Sequence, residues 1–417
     1  MNTRALTLLL AGLAASHIHA QQPPLTPAET DGIAEVRAQQ TDGTIALQPW
    51  AQLMGAGRLG IGWMTSAPAD GVVEWTQAPD ADTAQPAAWQ EAWYSEDGLR
   101  QANGTAHRAV IEGYDPSRPI RFRARSRPIT SFKPYKVTFG EPTLSQERAL
   151  PALTRPAGAA SFIVLNDTHN RPHLYAPLLA KAGAPVDFAV LNGDILQDPQ
   201  TEKDIAGHLL APMAWFTARA IPCFFLRGNH ETRGAAARAL KGYLPLPDNR
   251  YYAAMTFGAT RVVFLDCGED KPDTGSEYSG LVDFDPYMER QLAWLEAETA
   301  TDAFRNAAWR IVIVHIPPDW RRPEEKLWHG ERRMRERFAP LFDKGNVTAV
   351  ISGHNHKAEL VEPHPDPARG FRWPVFIGGA HPLSNATVIR VDADDASLAI
   401  KCIRSDGSVF AEKNWKR

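Results

Sequence analysis

A chain of 417 residues with 44% hydrophobic content is long enough to bury more than one core, so two domains are expected. Lys+Arg of 45 against Asp+Glu of 48 leaves a net charge of −3 with no long run of either sign, which argues against a nucleic-acid surface or a polybasic membrane face. Cys223, Cys267 and Cys402 are an odd set, the first two in or beside apolar strand-like runs; buried free thiols are expected, with one disulfide between two of the three as the alternative and no disulfide framework.

In residues 1–20, Arg4 precedes an apolar run from Ala5 to Ala15, and Ala20 precedes Gln-Gln. This reads as a secretory signal peptide, cut near Ala20 or after Ser16, and predicts an exported protein, periplasmic or extracellular. The run is too short to span a bilayer, which takes about 20 residues, so no transmembrane segment is expected in the mature chain. Residues 21–43, rich in Pro, Thr and acidic groups, read as a leader or linker. From 44 to 140 the pattern is all-β: Leu59, Ile61 and Trp63 alternate with small residues, and Val73 and Trp75 repeat the theme after a predicted turn at Ser66-Ala67-Pro68-Ala69-Asp70-Gly71. Further runs at Ala106–Ile111, Pro119–Arg125 and Tyr135–Phe139 bring the count to six or seven strands, a β-sandwich of roughly 100 residues. It reads as a scaffold for the domain that follows; Trp75, Trp89 and Trp93 are its only hint of sugar binding. Residues 141–158, with three prolines, read as a linker.

From 159 to 417 the architecture is α/β. Phe162–Leu165, a helix near His173–Ala182, Phe188–Leu191, a helix near Glu202–Arg219 and Cys223–Leu226 make β-α-β-α-β, so parallel strands are expected with functional groups at their C-terminal ends. A hairpin turning at Gly258-Ala259, a helix from about Pro286 to Thr299, strands ending at His315 and Gly353, and later strands near 358–361, 375–377, 387–391 and 397–403 predict a second sheet. The whole reads as a two-sheet sandwich flanked by helices.

Five polar clusters follow apolar runs: Asp167-Thr168-His169, Gly193-Asp194, Gly228-Asn229-His230-Glu231, His315 and Gly353-His354-Asn355-His356. They offer only carboxylate, imidazole and carboxamide groups, the donor set of paired divalent or trivalent transition metals such as Mn, Fe or Zn. This points to a dinuclear metallohydrolase.

In that order and spacing the clusters resemble the motif set of the calcineurin-like metallophosphoesterases. The resemblance implies that Asp167, His169 and His356 hold one metal, that Asn229, His315 and His354 hold the other, and that Asp194 bridges them. It further implies in-line attack of a metal-bridging hydroxide on a small phosphoester, with His230 acting on the phosphoryl oxygens or the leaving alkoxide. A β-sandwich ahead of this domain, whose Gly113-Tyr114-Asp115-Pro116 and following strand are similar to the end of a fibronectin type III domain, resembles the purple acid phosphatases. Their metal-binding tyrosine is replaced here by Gln197, however, and their first-motif glycine by His169. The Asp-Arg pair of the serine/threonine phosphoprotein phosphatases is Gln197-Asp198. A phosphatase is the expected activity, with a nucleotide or glycerophosphodiester phosphodiesterase as the alternative and a catalytically dead surface binding module as the rival of another class. His173, Arg233 and His381 are candidate substrate-binding residues.

Overall fold

The computed structural model describes residues 27–55, 57–77, 88–366 and 369–417. The predicted signal peptide lies outside the described residues. Part of the stretch read as a leader does not: Pro27–Arg37 is a helix whose Val36 is buried. Its Glu35 accepts a hydrogen bond from Trp215 Nε1 at 3.0 Å and pairs with Arg219. This helix is therefore seated on the α/β half and is not a free leader.

The N-terminal β-region is built on the strands Ile45–Leu53, Arg58–Gln77, Ala102–Glu112 and Ile120–Lys133, paired antiparallel. Leu59, Ile61 and Trp63 turn inward and are fully buried, as their alternation requires. The turn predicted at 66–71 does not form. The strand runs unbroken from Arg58 to Gln77 and changes partner instead, its first part pairing with Ala106–Glu112 and its second with Ile120–Pro128. Ser66, Ala67 and Pro68 are exposed where the register shifts. A proline is tolerated there because an irregular register needs no ladder hydrogen bond from it. The stretch 141–158 is likewise more than a linker, since Thr143–Leu144 and Arg148–Leu150 both pair with the strand Ile120–Lys133.

In the α/β half, Ala160–Leu165, Phe188–Asn192 and Cys223–Leu226 lie parallel and fully buried, the near-continuous apolar pattern of strands covered on both faces. Thr387–Ala393, Ser397–Arg404 and Val409–Lys416 extend this sheet antiparallel beyond Ala160–Leu165. The last of these was not read from the sequence: Ala411 is its one buried residue, and Glu412, Lys413, Asn414 and Lys416 make most of its second half charged or polar, as suits an outer strand. At the opposite side, Ile45–Leu53 pairs parallel with Cys223–Leu226 at Gln52 and Cys223, so the N-terminal region and the α/β half share one sheet.

A second sheet runs Ala253–Phe257, Thr260–Leu265, Trp309–Val314, Ala349–Ser352, Val375–Ile377 and Glu359–Val361. Between the sheets the rings of Phe162 and Phe188 stack at 4.6 Å and those of Phe224 and Phe264 at 4.0 Å. Helices Tyr175–Ala182 and Ala211–Thr217 cover the first sheet and Phe284–Thr299 the second. All three cysteines are free and buried.

Candidate metal centre

Each of the five clusters leaves the C-terminal end of a strand or the loop just after it, and the two sheets aim them at one point. The backbone must turn hard to do so. Asp167, His169, Asp194, His354 and His356 all have positive φ, between 44° and 70°. Left-handed backbone costs a non-glycine residue on the order of 1–2 kcal/mol, so the surrounding structure holds it there against local preference. Two glycines permit the close approach. A Cβ at Gly353 would stand 2.3 Å from Asp167 Oδ2, and one at Gly228 2.3 Å from Asp194 Oδ1.

The seven expected ligands are brought together. Ligand atoms of Asp167, His169, Asp194 and His356 lie within 4.8 Å of one another, as do those of Asp194, His315 and His354, with Asp194 common to both groups. His169 Nε2 is 2.9 Å from His356 Nε2, and His356 Nε2 is 3.4 Å from Asp167 Oδ1. Asn229 Oδ1 is 3.1 Å from His354 Nδ1, which sets the carboxamide at the second group. All but His354 and His356 are at most 2% exposed.

The donors fit a pair of cations on this structure's own terms. His315 Nδ1 donates to Asn192 O at 2.8 Å, which fixes the tautomer and turns Nε2 inward. That buried Nε2 makes no aligned hydrogen bond, although it stands 3.1 Å from Asp194 Oδ2 and 3.8 Å from Asp167 Oδ1. Burial opposes charge on the ring, yet the two carboxylates outweigh it and raise the His315 pKa to about 10. Asp194 is in turn held well below the usual carboxylate range, against burial, by His315 and the other imidazoles. His169 and His354 go the other way: burial lowers them to about 4 and about 3, leaving neutral rings with lone pairs to offer. Two buried carboxylates beside the neutral imidazoles of His169 and His354 make a pocket of hard and borderline donors suited to cations.

Glu231, which closes the third motif and to which the sequence alone assigns no role, holds this arrangement. It has no exposed surface and accepts the backbone N–H groups of Gly228 at 2.7 Å, Leu196 at 2.8 Å and Asp194 at 3.0 Å. Burial and the nearby Asp194 push its carboxyl up to about 7. His230 sits above the centre, Nε2 3.9 Å from Asp194 Oδ2. Its Nδ1 meets Asp198 Oδ1 at 2.9 Å and Gln197 Nε2 at 3.0 Å, and Arg233 Nη1 lies 3.2 Å from Nε2. Burial works against a charged ring, but the Asp198 hydrogen bond and the Asp194 carboxylate raise its pKa above the ordinary histidine value.

A cleft of about 410 Å³ opens over Asp194, Asn229, His230 and His354. Of the candidate substrate residues Arg233 lines it, its guanidinium braced by Glu269 at 2.6 Å and Asp270 at 3.0 Å. His381 stands 5.5 Å from the His169 ring and 6.3 Å from the His356 ring, outside the cleft wall, and burial lowers its pKa to about 4. His173 does not reach the cleft. It is buried in the turn Pro172–Leu174, over which the helix Pro27–Arg37 packs so closely that a Cβ on Gly32 would stand 3.4 Å from His173 O. Lys271, Arg322 and Trp328 also line the cleft and were not read from the sequence, which gives no local signal that their loops meet the motifs.

Residues 160–358 match the family profile of the calcineurin-like phosphoesterases. The chain carries a calcineurin-like phosphoesterase domain. With that domain it stands among the metal-dependent phosphoester hydrolases. No curated protein matches the chain. Among solved structures, the purple acid phosphatase PPD1 from yellow lupin (Lupinus luteus) seeds is 14% identical, with 88% of this chain and 74% of that one covered at a TM-score of 0.64. A structure of PhoD is 12% identical, with 90% and 91% covered at a TM-score of 0.58. At this identity the likeness is one of fold, and it extends through the N-terminal β-region as well as the phosphoesterase domain.

Proposed function

We propose that the protein is an exported phosphatase with a dinuclear metal centre, Asp167, His169 and His356 holding one ion, Asn229, His315 and His354 the other, and Asp194 both. The observation that carries this reading is the sharing of the buried Asp194 between two groups of ligand atoms at the floor of an open cleft. When bound, a metal pair supplies an activated water and screens the charge of the phosphoryl group. The chain's own residues do the rest. Arg233 presents Nη1 to the cleft beside His230, where a phosphoryl oxygen takes it up. His230, with Nδ1 tied to Asp198, offers Nε2 to the departing oxygen, and the raised pKa favours a ring that carries the proton. Lys271 and Arg322 also reach the wall, each paired with a carboxylate there, Lys271 with Asp270 at 2.9 Å and Arg322 with Glu331.

The test is turnover of p-nitrophenyl phosphate beside bis(p-nitrophenyl) phosphate by the metal-reconstituted protein. Faster monoester hydrolysis is expected. A reversed preference replaces the reading with a phosphodiesterase, and no hydrolysis of these or of natural phosphoesters replaces it with a binding module. Export rests on Arg4 and the apolar run Ala5–Ala15. Mass spectrometry of the secreted protein is expected to find a new amino terminus near Gln21 or His17; an intact Met1 overturns it.

A further inference from the structure

The cleft wall carries one large apolar side chain that the metal chemistry does not use. Trp328 is 51% exposed, yet it lines the cleft with its ring edge-on to that of His354 at 5.7 Å. Every other side chain lining the cleft is polar. An indole held in water forgoes the gain of burial, and here the backbone that carries it is anchored. The backbone N–H of Trp328 donates to Glu331 Oε2 at 2.9 Å, and that buried carboxylate also takes the Arg322 guanidinium. Two residues on, the Gly330 N–H donates to Asp270 O at 3.1 Å. Gly330 lies so near this segment that a Cβ would stand 2.7 Å from Glu269 O. The segment that carries the indole is thus seated on the backbone of Glu269 and Asp270, whose side chains brace Arg233. Lys271 places Nζ 5.7 Å from the centre of the ring.

We infer that Trp328 is the platform on which the substrate's leaving group stacks, and that the enzyme prefers phosphoesters whose alcohol carries a planar aromatic ring. The inference rests on the phosphoesterase reading above. A phosphoryl group between Arg233 and His354 has polar neighbours on every side but one, and its ester substituent meets the indole there. A polyol gains nothing from that surface, whereas an aromatic ring gains stacking and the field of the Lys271 ammonium. The ring can be an aryl group on the ester oxygen itself or a base carried beyond a sugar.

The test compares phenylphosphonate with methylphosphonate, two analogues that are not hydrolysed, by calorimetric binding to the metal-reconstituted full chain. The wild type is expected to favour the phenyl compound about tenfold. Trp328→Phe should keep most of that preference and Trp328→Ala should bring the ratio close to one. Because the side chain is half in water, neither change opens a cavity. A Trp328→Ala protein that retains the wild-type ratio overturns the inference. In the same variants, kcat/KM for phenyl phosphate and for a nucleoside 5′-monophosphate separates the two sources: loss on the first places the ring at the ester oxygen, and loss on the second places it beyond the sugar. Equal losses on these and on glycerol phosphate refute the platform and leave the phosphatase reading standing. A wild type that binds neither phosphonate and hydrolyses no ester removes both.

Discussion

Replacing Glu231 asks whether the centre is built on backbone hydrogen bonds as much as on its ligands. Glu231→Ala strands three buried N–H groups, those of Asp194, Leu196 and Gly228. At about 1–3 kcal/mol for each unsatisfied donor the loss is at least ~3 kcal/mol, a large part of the roughly 5–15 kcal/mol that keeps a typical domain folded. Glu231→Gln is a graded control. With its single oxygen at the Oε2 position it keeps the Gly228 and Asp194 donors and sets an NH2 against Leu196, so the expected cost is about 1–3 kcal/mol. Urea unfolding of chelator-treated protein measures both variants without a contribution from bound metal. Elemental analysis after reconstitution should then find the Ala variant depleted, since its Asp194 and Asn229 loops are no longer tied together. A Glu231→Ala protein within ~1 kcal/mol of wild type, or a Gln variant as unstable as the Ala variant, would refute the reasoning.

Asp194→Ala is expected to lose both metals and nearly all activity, and His169→Ala to empty mainly one site; one metal per chain in active wild type, by elemental analysis, contradicts the shared-ligand assignment. His230→Ala should keep its metals but lose more rate on alkyl phosphates than on p-nitrophenyl phosphate, up to about 10²–10⁴-fold on the former, with Asp198→Asn moving the same way by less. Equal losses on both substrates would make His230 a stabiliser of phosphoryl charge instead. In the N-terminal region, His107 is buried, stacks on Trp63 at 5.2 Å and meets Thr65 Oγ1 at 2.8 Å, and burial lowers its pKa to about 4, with Asp70 opposing. The unfolded ring binds its proton near pH ~6.5, so stability is complete above that value and is lost as pH falls towards ~4, by up to ~3 kcal/mol. Urea midpoints across that range check it, and His107→Gln should flatten the slope.

The centre was legible because metal chemistry restricts residue type and the α/β fold restricts place: Asp167, Asp194 and Asn229 had to follow buried parallel strands, and buried strands are plain in apolar runs such as Phe162–Leu165. What escaped depended on contacts between distant segments. Glu231 looks like any acidic residue until the backbone amides of residues 194, 196 and 228 are seen to converge on it. Asp198 meets the His230 ring across 32 residues of chain, a contact that spacing alone does not reveal. Trp328 reaches the cleft on a segment that Gly330 docks against Asp270. The strand Val409–Lys416 and the partner change at Ser66–Pro68 were hidden for the opposite reason, a mixed or turn-like composition where the chain is in fact extended.

The sheet common to both halves of the molecule dictates the order of its assembly. Gln52 lies beside Cys223, roughly 170 residues further along the chain. During synthesis the strand Ile45–Leu53 therefore leaves the ribosome with one side satisfied by Arg58–Gln77 and the other open, and it stays open until the third parallel strand of the phosphoesterase domain has emerged. Over that interval Trp50, fully buried in the finished protein, lacks the helix Ala211–Thr217 against which its strand packs. A nascent chain stalled before Cys223 keeps that edge unpaired, and an unpaired edge is where pairing with a neighbouring chain is expected.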